Sequence, residues 1–118
     1  AKAAINLYER ALSILKRNLG PVHHEVATCM MNLGHELMEF KDLEGAKANL
    51  TQALTIFEQT IGENDPLVAL NLENLSTLSI ALEEYDYCRP YLERALAIRL
   101  KCFGPDHKKV AYTRNLLT

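Results

Sequence analysis

Apolar residues recur at helical spacing along this chain, and the same pattern returns from its beginning to its end. Between residues 4 and 19, apolar side chains fall at i, i+3, i+4, i+7 and i+11, which is the spacing of one face of a helix. These residues are Tyr8, Ala11, Leu12, Leu15 and Leu19. A second stripe follows at Val26, Met30, Leu33 and Leu37. No segment shows strand-like alternation outside such helical stripes, so the pattern predicts an all-α chain.

Three segments of the chain nearly repeat one another at an interval of 42 residues. Residues 4–27, 46–69 and 88–111 align without insertion, and seven columns agree or differ only by an apolar exchange. These columns are Ala11/Ala53/Ala95, Leu12/Leu54/Leu96, Ile14/Ile56/Ile98, Leu19/Ile61/Phe103, Gly20/Gly62/Gly104, Val26/Val68/Val110 and Ala27/Ala69/Ala111. A fixed period of this size predicts a solenoid, in which each unit buries its apolar face on its neighbours.

Glycine, proline and aspartate mark the ends of the predicted helices. We predict helices over about 4–19, 24–40, 43–60, 66–83 and 87–103, with an incomplete one from about 108, or about five helices in all. Asp42, Asp65 and Asp86 are expected as N-caps, because a short side-chain oxygen can accept from the free N–H groups of a first turn. Pro66 suits a first helical position, where a missing N–H costs nothing. Pro90 falls near the fourth position of its helix, so we expect a slight distortion of that turn.

The repeated block resembles the tetratricopeptide repeat in its long, 42-residue form, found in kinesin light chains and related proteins. Leu33-Gly34 and Leu37 match the first helix of a unit, Ala46, Leu50 and Ala53 match the second, and the string at 104–107 matches the linker. The resemblance covers the whole chain and implies a right-handed α-solenoid of antiparallel helix pairs. Residues 1–118 would form a single repeat domain, from the second helix of one repeat through two 42-residue junctions to the start of another. We expect a fragment of a longer array.

Composition and charge argue against several classes of partner. The 118 residues are 48% hydrophobic and 24% charged, with a net charge of −2. This balance gives no drive toward nucleic acid or an anionic membrane, for which a clustered basic surface would be expected. No apolar run reaches the roughly 18–20 residues that a membrane span needs. Cys29, Cys88 and Cys102 are irregularly spaced, which predicts free, buried side chains in a reducing, cytoplasmic setting.

The resemblance also implies a set of binding residues, because the first helix of each unit lines the concave groove in this family. That peptide-binding set is Thr28, Met31, Asn32, His35, Glu39, Leu70, Glu73, Asn74, Thr77 and Tyr112, followed by Asn115. Asn32 and Asn74 lie 42 residues apart, where the resemblance implies an asparagine that bonds the backbone of an extended peptide. An amide offers both a donor and an acceptor, so it can pair with any peptide unit. The alternative is that both asparagines bond neighbouring helices.

The charge of the partner is suggested by two of these positions. Relatives that clamp acidic chaperone tails carry basic residues on this face, and here Met31 and Glu73 hold those places. Because Glu73 would repel an approaching carboxylate, we expect an apolar or basic peptide rather than an acidic one.

No recognisable motif for catalysis, a cofactor or a metal is present. The chain has no Gly-rich phosphate loop and no local pairing of nucleophile and base, so we do not expect an enzyme. His35 and Glu39 stand at i, i+4, but the second histidine of the zinc-protease motif is missing. The adjacent His23 and His24 are not expected to chelate one ion together.

The leading hypothesis is a non-catalytic protein–protein interaction scaffold that holds a peptide or helical segment of its partner in the groove. Two alternatives stay open. One is a regulatory or sensor module of a larger signalling protein. The other is an assembly element whose exposed ends associate with further copies.

Overall fold

The computed structural model describes residues 2–117, and this part of the chain forms six α-helices and no strand. In chain order they are α1 (Lys2–Leu19), α2 (His24–Glu39), α3 (Leu43–Thr60), α4 (Pro66–Ala81), α5 (Tyr85–Phe103) and α6 (Lys108–Leu116). The all-α prediction is confirmed, and α6 completes a sixth helix where about five were expected. None of these helices has both the length and the apolar character needed to cross a membrane.

Local signals begin and end several of these helices as predicted. The residue after α1 has a left-handed backbone, with φ of +87° at Gly20, which a side chain would strain. At the start of α3, the Asp42 carboxylate accepts a hydrogen bond from the Gly45 N–H at 3.0 Å. At the start of α4, Asp65 accepts from the Leu67 N–H at 2.9 Å. These two carboxylates satisfy donors that have no partner within their own helices.

The predicted N-cap of the fifth helix is wrong. Helix α5 begins at Tyr85, so Asp86 lies inside its first turn, and Glu84 is the N-cap residue without a side-chain cap bond. The backbone explains the earlier start. Glu83 has φ of +61°, and the Glu84 N–H donates to the Ser79 carbonyl at 2.8 Å, so a tight turn leads directly from α4 into α5.

The same turn occurs 42 residues earlier, between α2 and α3. There Lys41 has φ of +73°, and the Asp42 N–H donates to the Leu37 carbonyl at 2.9 Å. The repeat therefore assigns the cap to residue 84 rather than to residue 86. Pro90 is the sixth residue of α5, deeper than predicted, and the helix continues through it.

The described residues up to Gly62 form one compact unit of α1, α2 and α3, here called unit 1. Helices α2 and α3 pack most extensively, as expected for two helices joined by a short turn. Gly34 marks their close approach. A Cβ at this position would lie 2.8 Å from Leu50 Cγ and 3.4 Å from the Ala46 carbonyl oxygen, so a larger residue would push the helices apart.

The described residues from Glu63 onward form a second compact unit of α4, α5 and α6, here called unit 2. At the place of Gly34, helix α4 carries Ser76. Its hydroxyl donates to the Cys88 carbonyl at 3.3 Å and lies 3.0 Å from the sulfur of that residue. The small side chains of Ser76 and Cys88 thus keep α4 and α5 close. The buried apolar side chains of this unit include Val68, Leu72, Leu75, Leu92, Ile98 and Val110.

The three cysteines are free thiols that differ in burial. Cys29 is buried, its thiol donates to the Tyr8 carbonyl at 3.4 Å, and burial raises its pKa. Cys88 is half-buried, whereas Cys102 is exposed, so the prediction of buried cysteines is wrong for Cys102. The burial follows the repeat: residue 102 shares its column with Asn18 and Thr60, which are exposed too, whereas Cys29 shares its column with the buried Asn71 and Thr113.

Candidate functional site

In unit 1, two of the predicted binding residues lie beside a small cavity. Thr28 and Asn32 line this cavity of about 260 Å³ together with residues of α1, among them Tyr8 and Leu15. The Thr28 hydroxyl donates to the His24 carbonyl at 2.9 Å and is satisfied within its own helix. The half-buried Asn32 amide has no hydrogen-bond partner in residues 2–117. Of these two side chains, Asn32 is therefore the one with unused hydrogen-bonding capacity.

The remaining predicted residues of α2 divide between core and surface. Met31 is only 3% exposed, so its predicted place on a binding surface is wrong. Spacing along α2 alone placed Met31 on an exposed face of the helix, but neighbouring helices pack over this residue. His35 and Glu39 are exposed, with His35 Nε2 3.4 Å from Glu39 Oε1. These two side chains form an i, i+4 pair on the surface of α2.

In unit 2, three predicted binding residues line a larger cavity of about 450 Å³, here called the α4–α6 pocket. It is lined by Pro66, Leu67, Leu70, Glu73, Arg99, Lys108, Lys109 and Tyr112. Leu70 and Tyr112 expose much of their surface there, whereas Glu73 is only 7% exposed. The prediction that Glu73 presents a free carboxylate to a partner is therefore wrong.

A buried polar network occupies the inner side of this pocket. Glu73 Oε1 accepts from Arg99 Nη2 at 2.8 Å, and Glu73 Oε2 accepts from Arg99 Nε at 3.1 Å. The hydroxyl of Thr113, which is fully buried, donates to Glu73 Oε2. One carboxylate thus connects α4, α5 and α6, and the bidentate pairing is the geometry that a guanidinium favours.

Neither Arg99 nor Thr113 was identified from the sequence, although the repeat carries a signal for the ion pair. Arg99 shares its column with Leu15 and Phe57, and Glu73 shares its column with Met31. A basic and an acidic residue thus replace the Phe57 and Met31 of the preceding repeat, whereas the third copy of the Glu73 column is the exposed Asn115. Charged side chains that replace buried apolar ones are expected to pair with each other.

This network removes the reason for expecting a basic partner. The Glu73 charge is already balanced by the Arg99 guanidinium, so it does not dominate the pocket. The lining holds one acidic side chain against three basic ones, Arg99, Lys108 and Lys109, a net charge of +2. The Lys109 ammonium lies 5.2 Å from the centre of the Phe103 ring.

Asn74 and Thr77 continue along α4 beyond the pocket. Asn74 is half-buried, and its amide has no hydrogen-bond partner among the described residues. Thr77 is exposed, but its hydroxyl donates to the Glu73 carbonyl at 3.1 Å. Asn115 is exposed on α6. Asn32 and Asn74 thus share the same burial and the same unsatisfied amide, each in its own unit.

Among the described residues, one group of side chains has the spacing of metal ligands. His23, His24 and Glu25 each place one potential ligand atom within 4.8 Å of the others. His23 Nδ1, however, accepts the Glu25 N–H at 3.1 Å, and the two imidazole rings stack at 4.5 Å. His23 is therefore the N-cap of α2, a role that sequence reasoning did not assign to it.

The chain is similar to known repeat proteins in both sequence and fold. A family model described as a tetratricopeptide repeat matches residues 1–59. Among solved structures, the chain is similar to BtubC (BKLC) from P. vanneervenii, with a TM-score of 0.86 and 29% identity. That match covers 96% of this chain and 45% of BtubC, which has a kinesin-light-chain-like repeat fold.

Among curated proteins, the chain is similar to Clustered mitochondria protein homologs. Identity is 28% to the Homo sapiens protein and 30% to the Danio rerio protein, each over 114 residues and 97% of this chain. The Aedes aegypti protein is 39% identical over 56 residues, or 48% of this chain and 4% of that protein. The chain spans 9% and 8% of the length of the human and zebrafish relatives.

Proposed function

Because this chain belongs to the tetratricopeptide repeat family, we propose that it is a non-catalytic scaffold that holds a peptide or helical segment of a partner protein. Repeats of this family are generally protein–protein interaction modules without catalytic activity. The proposal is that each unit contacts the partner along the first helix of its repeat, which is α2 in unit 1 and α4 in unit 2. In this proposal residues 1–118 act as one repeat domain within a longer array.

The pair Asn32 and Asn74 carries this proposal. The two residues stand one repeat apart, both are half-buried, and neither amide has a hydrogen-bond partner within residues 2–117. Buried polar groups in proteins are normally satisfied. The alternative was that the two amides bond neighbouring helices, but no such hydrogen bond is present in the described part of the chain. A peptide backbone would supply an acceptor for each amide N–H and a donor for each amide oxygen.

We keep the expectation that the partner segment is apolar, but we no longer expect it to be basic. Leu70 and Tyr112 offer exposed apolar surface beside three basic side chains in the α4–α6 pocket. We propose a partner segment with an apolar side chain at this point and no requirement for basic residues. Complementary charge mainly raises the association rate and selects among partners.

The test is a pull-down from cell lysate followed by titration of the captured peptide segment. The variant is Asn32→Ala/Asn74→Ala, and the matched control is Asn18→Ala/Asn64→Ala, which removes two exposed amides outside the predicted set. The double variant removes at least one hydrogen bond at each asparagine, so binding should weaken by at least about 1–3 kcal/mol, or roughly five- to 150-fold. Equal affinity of the variant and its control would show that neither asparagine contacts the peptide.

A regulatory role is a second candidate, favoured by the small share of the curated relatives that this chain spans. In that role the bound segment belongs to the parent chain. The alternative of self-association rests on a patch in unit 2 that includes the exposed Ile80, Tyr85 and Leu116. Light scattering over a range of concentrations separates these cases, because only self-association makes the mass concentration-dependent.

A further inference from the structure

The α4–α6 pocket has the size and lining of a small-molecule site. Its volume of about 450 Å³ lies within the roughly 300–1,000 Å³ typical of ligand pockets. Pro66, Leu67, Leu70 and Tyr112 supply apolar walls, and the polar groups are few and charged. Apolar walls with a small number of placed polar groups are the usual composition of sites that bind and orient small ligands.

The buried guanidinium of Arg99 keeps unused donor capacity in this pocket. Arg99 is 5% exposed, and its Nε and Nη2 both donate to Glu73. Its Nη1 has no hydrogen-bond partner in residues 2–117. This nitrogen is not among the fully enclosed unsatisfied atoms, and Arg99 lines the pocket. A buried side chain held in place by one carboxylate therefore keeps donor capacity for a second acceptor.

The charges of the lining favour an acceptor with a single negative charge. The net charge of +2 attracts an anion, and Lys108 at the start of α6 has no partner among the described residues. Glu73 weakens this attraction close to Arg99, because its carboxylate is bound to the same guanidinium and repels negative charge. The remaining walls are apolar, so a ligand with one carboxylate and an apolar body uses Arg99 and Lys108 without placing a second charge against Leu67, Leu70 or Tyr112.

We propose that the α4–α6 pocket binds a small monocarboxylic acid with an apolar body. The carboxylate accepts a hydrogen bond from Arg99 Nη1 with Lys108 nearby, and the apolar body lies against Leu67, Leu70 and Tyr112. The inference does not depend on the proposed peptide partner, which would contact the same Leu70 and Tyr112, because the acid is tested in its absence and on residues other than Asn32 and Asn74.

The first test is an NMR titration of the 118-residue chain with 3-phenylpropionate and with its neutral analogue 3-phenylpropanamide. The two probes share one apolar body and differ in charge. We expect shifts of the Leu67, Leu70 and Tyr112 side-chain signals, and a dissociation constant about ten- to 100-fold lower for the acid, because a hydrogen bond to a charged group is the stronger kind. Equal affinity for the two probes, or no binding of either at millimolar concentration, overturns the proposal.

The second test uses exposed positions of one helix, so that folding is preserved. Leu70→Glu places a carboxylate on the pocket wall, and Ile80→Glu makes the same change on α4 outside the pocket, at side chains that are 41% and 52% exposed. We expect about tenfold weaker binding of the acid by Leu70→Glu and unchanged binding by Ile80→Glu. A third variant, Arg99→Lys, lies at a buried position of α5. It keeps the charge but removes Nη1, and it should weaken binding similarly while its circular dichroism spectrum stays that of the wild type. Equal affinity of the Leu70 and Ile80 variants contradicts the proposed site.

Discussion

Replacing the buried Glu73–Arg99 ion pair with the apolar pair found in unit 1 should leave the chain stable, whereas breaking it should not. Arg99→Phe alone leaves the carboxylate of Glu73, a residue that is only 7% exposed, without its cation. Removing one partner of such a pair costs about 3–5 kcal/mol, since the remaining charge is neither solvated nor paired. A chain of 118 residues has a total stability of about 6–18 kcal/mol, so this loss is a large fraction of the whole.

The double variant Glu73→Met/Arg99→Phe reproduces the residues one repeat earlier, Met31 and Phe57, both of which are buried. Apolar residues of similar volume avoid the desolvation of two charges. We therefore expect the double variant to match the wild type or to be about 1–4 kcal/mol more stable. The Thr113 hydroxyl would then lose the carboxylate but keep the Lys109 carbonyl at 3.0 Å as an acceptor.

The assay is urea unfolding followed by far-UV circular dichroism, with the m-value checked for each variant, because repeat chains can unfold in more than one step. The control is Arg89→Met on the same helix, which breaks an exposed i, i+4 pair with Glu93 at 3.5 Å. It should cost no more than about 0.5 kcal/mol. The reasoning is refuted if Arg99→Phe is as mild as this control, or if the double variant loses at least as much stability as Arg99→Phe alone.

Two further predictions concern packing and thiol chemistry. Ala53 is fully buried, so Ala53→Leu should overpack unit 1 and cost about 1–3 kcal/mol, measured by thermal melting, and an unchanged melt would contradict the assigned contact. Because burial raises the Cys29 pKa, its thiolate forms at higher pH in the folded chain than in the unfolded one. The stability from the neutral thiol is thus full below the unfolded pKa and is lost as pH rises through the folded pKa. Alkylation at pH 8, mapped by mass spectrometry, should be slower at Cys29 than at exposed Cys102 in the native state, and similar rates at the two thiols would argue against the assigned burial.

The family, the helices and most of their ends followed from local signals and from the 42-residue period. Helical stripes, the glycine after α1 and the caps at Asp42 and Asp65 act within a few residues, so the sequence shows them directly. The exception is Asp86, where residue type alone suggested a cap. The residue one 42-residue period after Asp42 is residue 84, and the backbone turn confirms that this residue is the N-cap of α5.

The candidate site was predictable only in part, because a helix in a repeat array has neighbours on more than one side. Spacing along α2 and α4 separates faces, but it does not show which face a neighbouring helix covers. Met31 and Glu73 were therefore assigned to an exposed surface that the packing encloses. Asn32 and Asn74, half-buried and without a partner in the described residues, remain the predicted contacts with a peptide.

The sequence by itself determined the repeat, the helical units and the positions of the small residues where helices meet, since each of these depends on short-range spacing. Only the tertiary structure decided the charge of the candidate site. Glu73 and Arg99 are 26 residues apart, and they meet with Thr113 only because α4, α5 and α6 pack around them. Electrostatic character depends on distances between groups from different helices, and those distances exist only once the helices have packed.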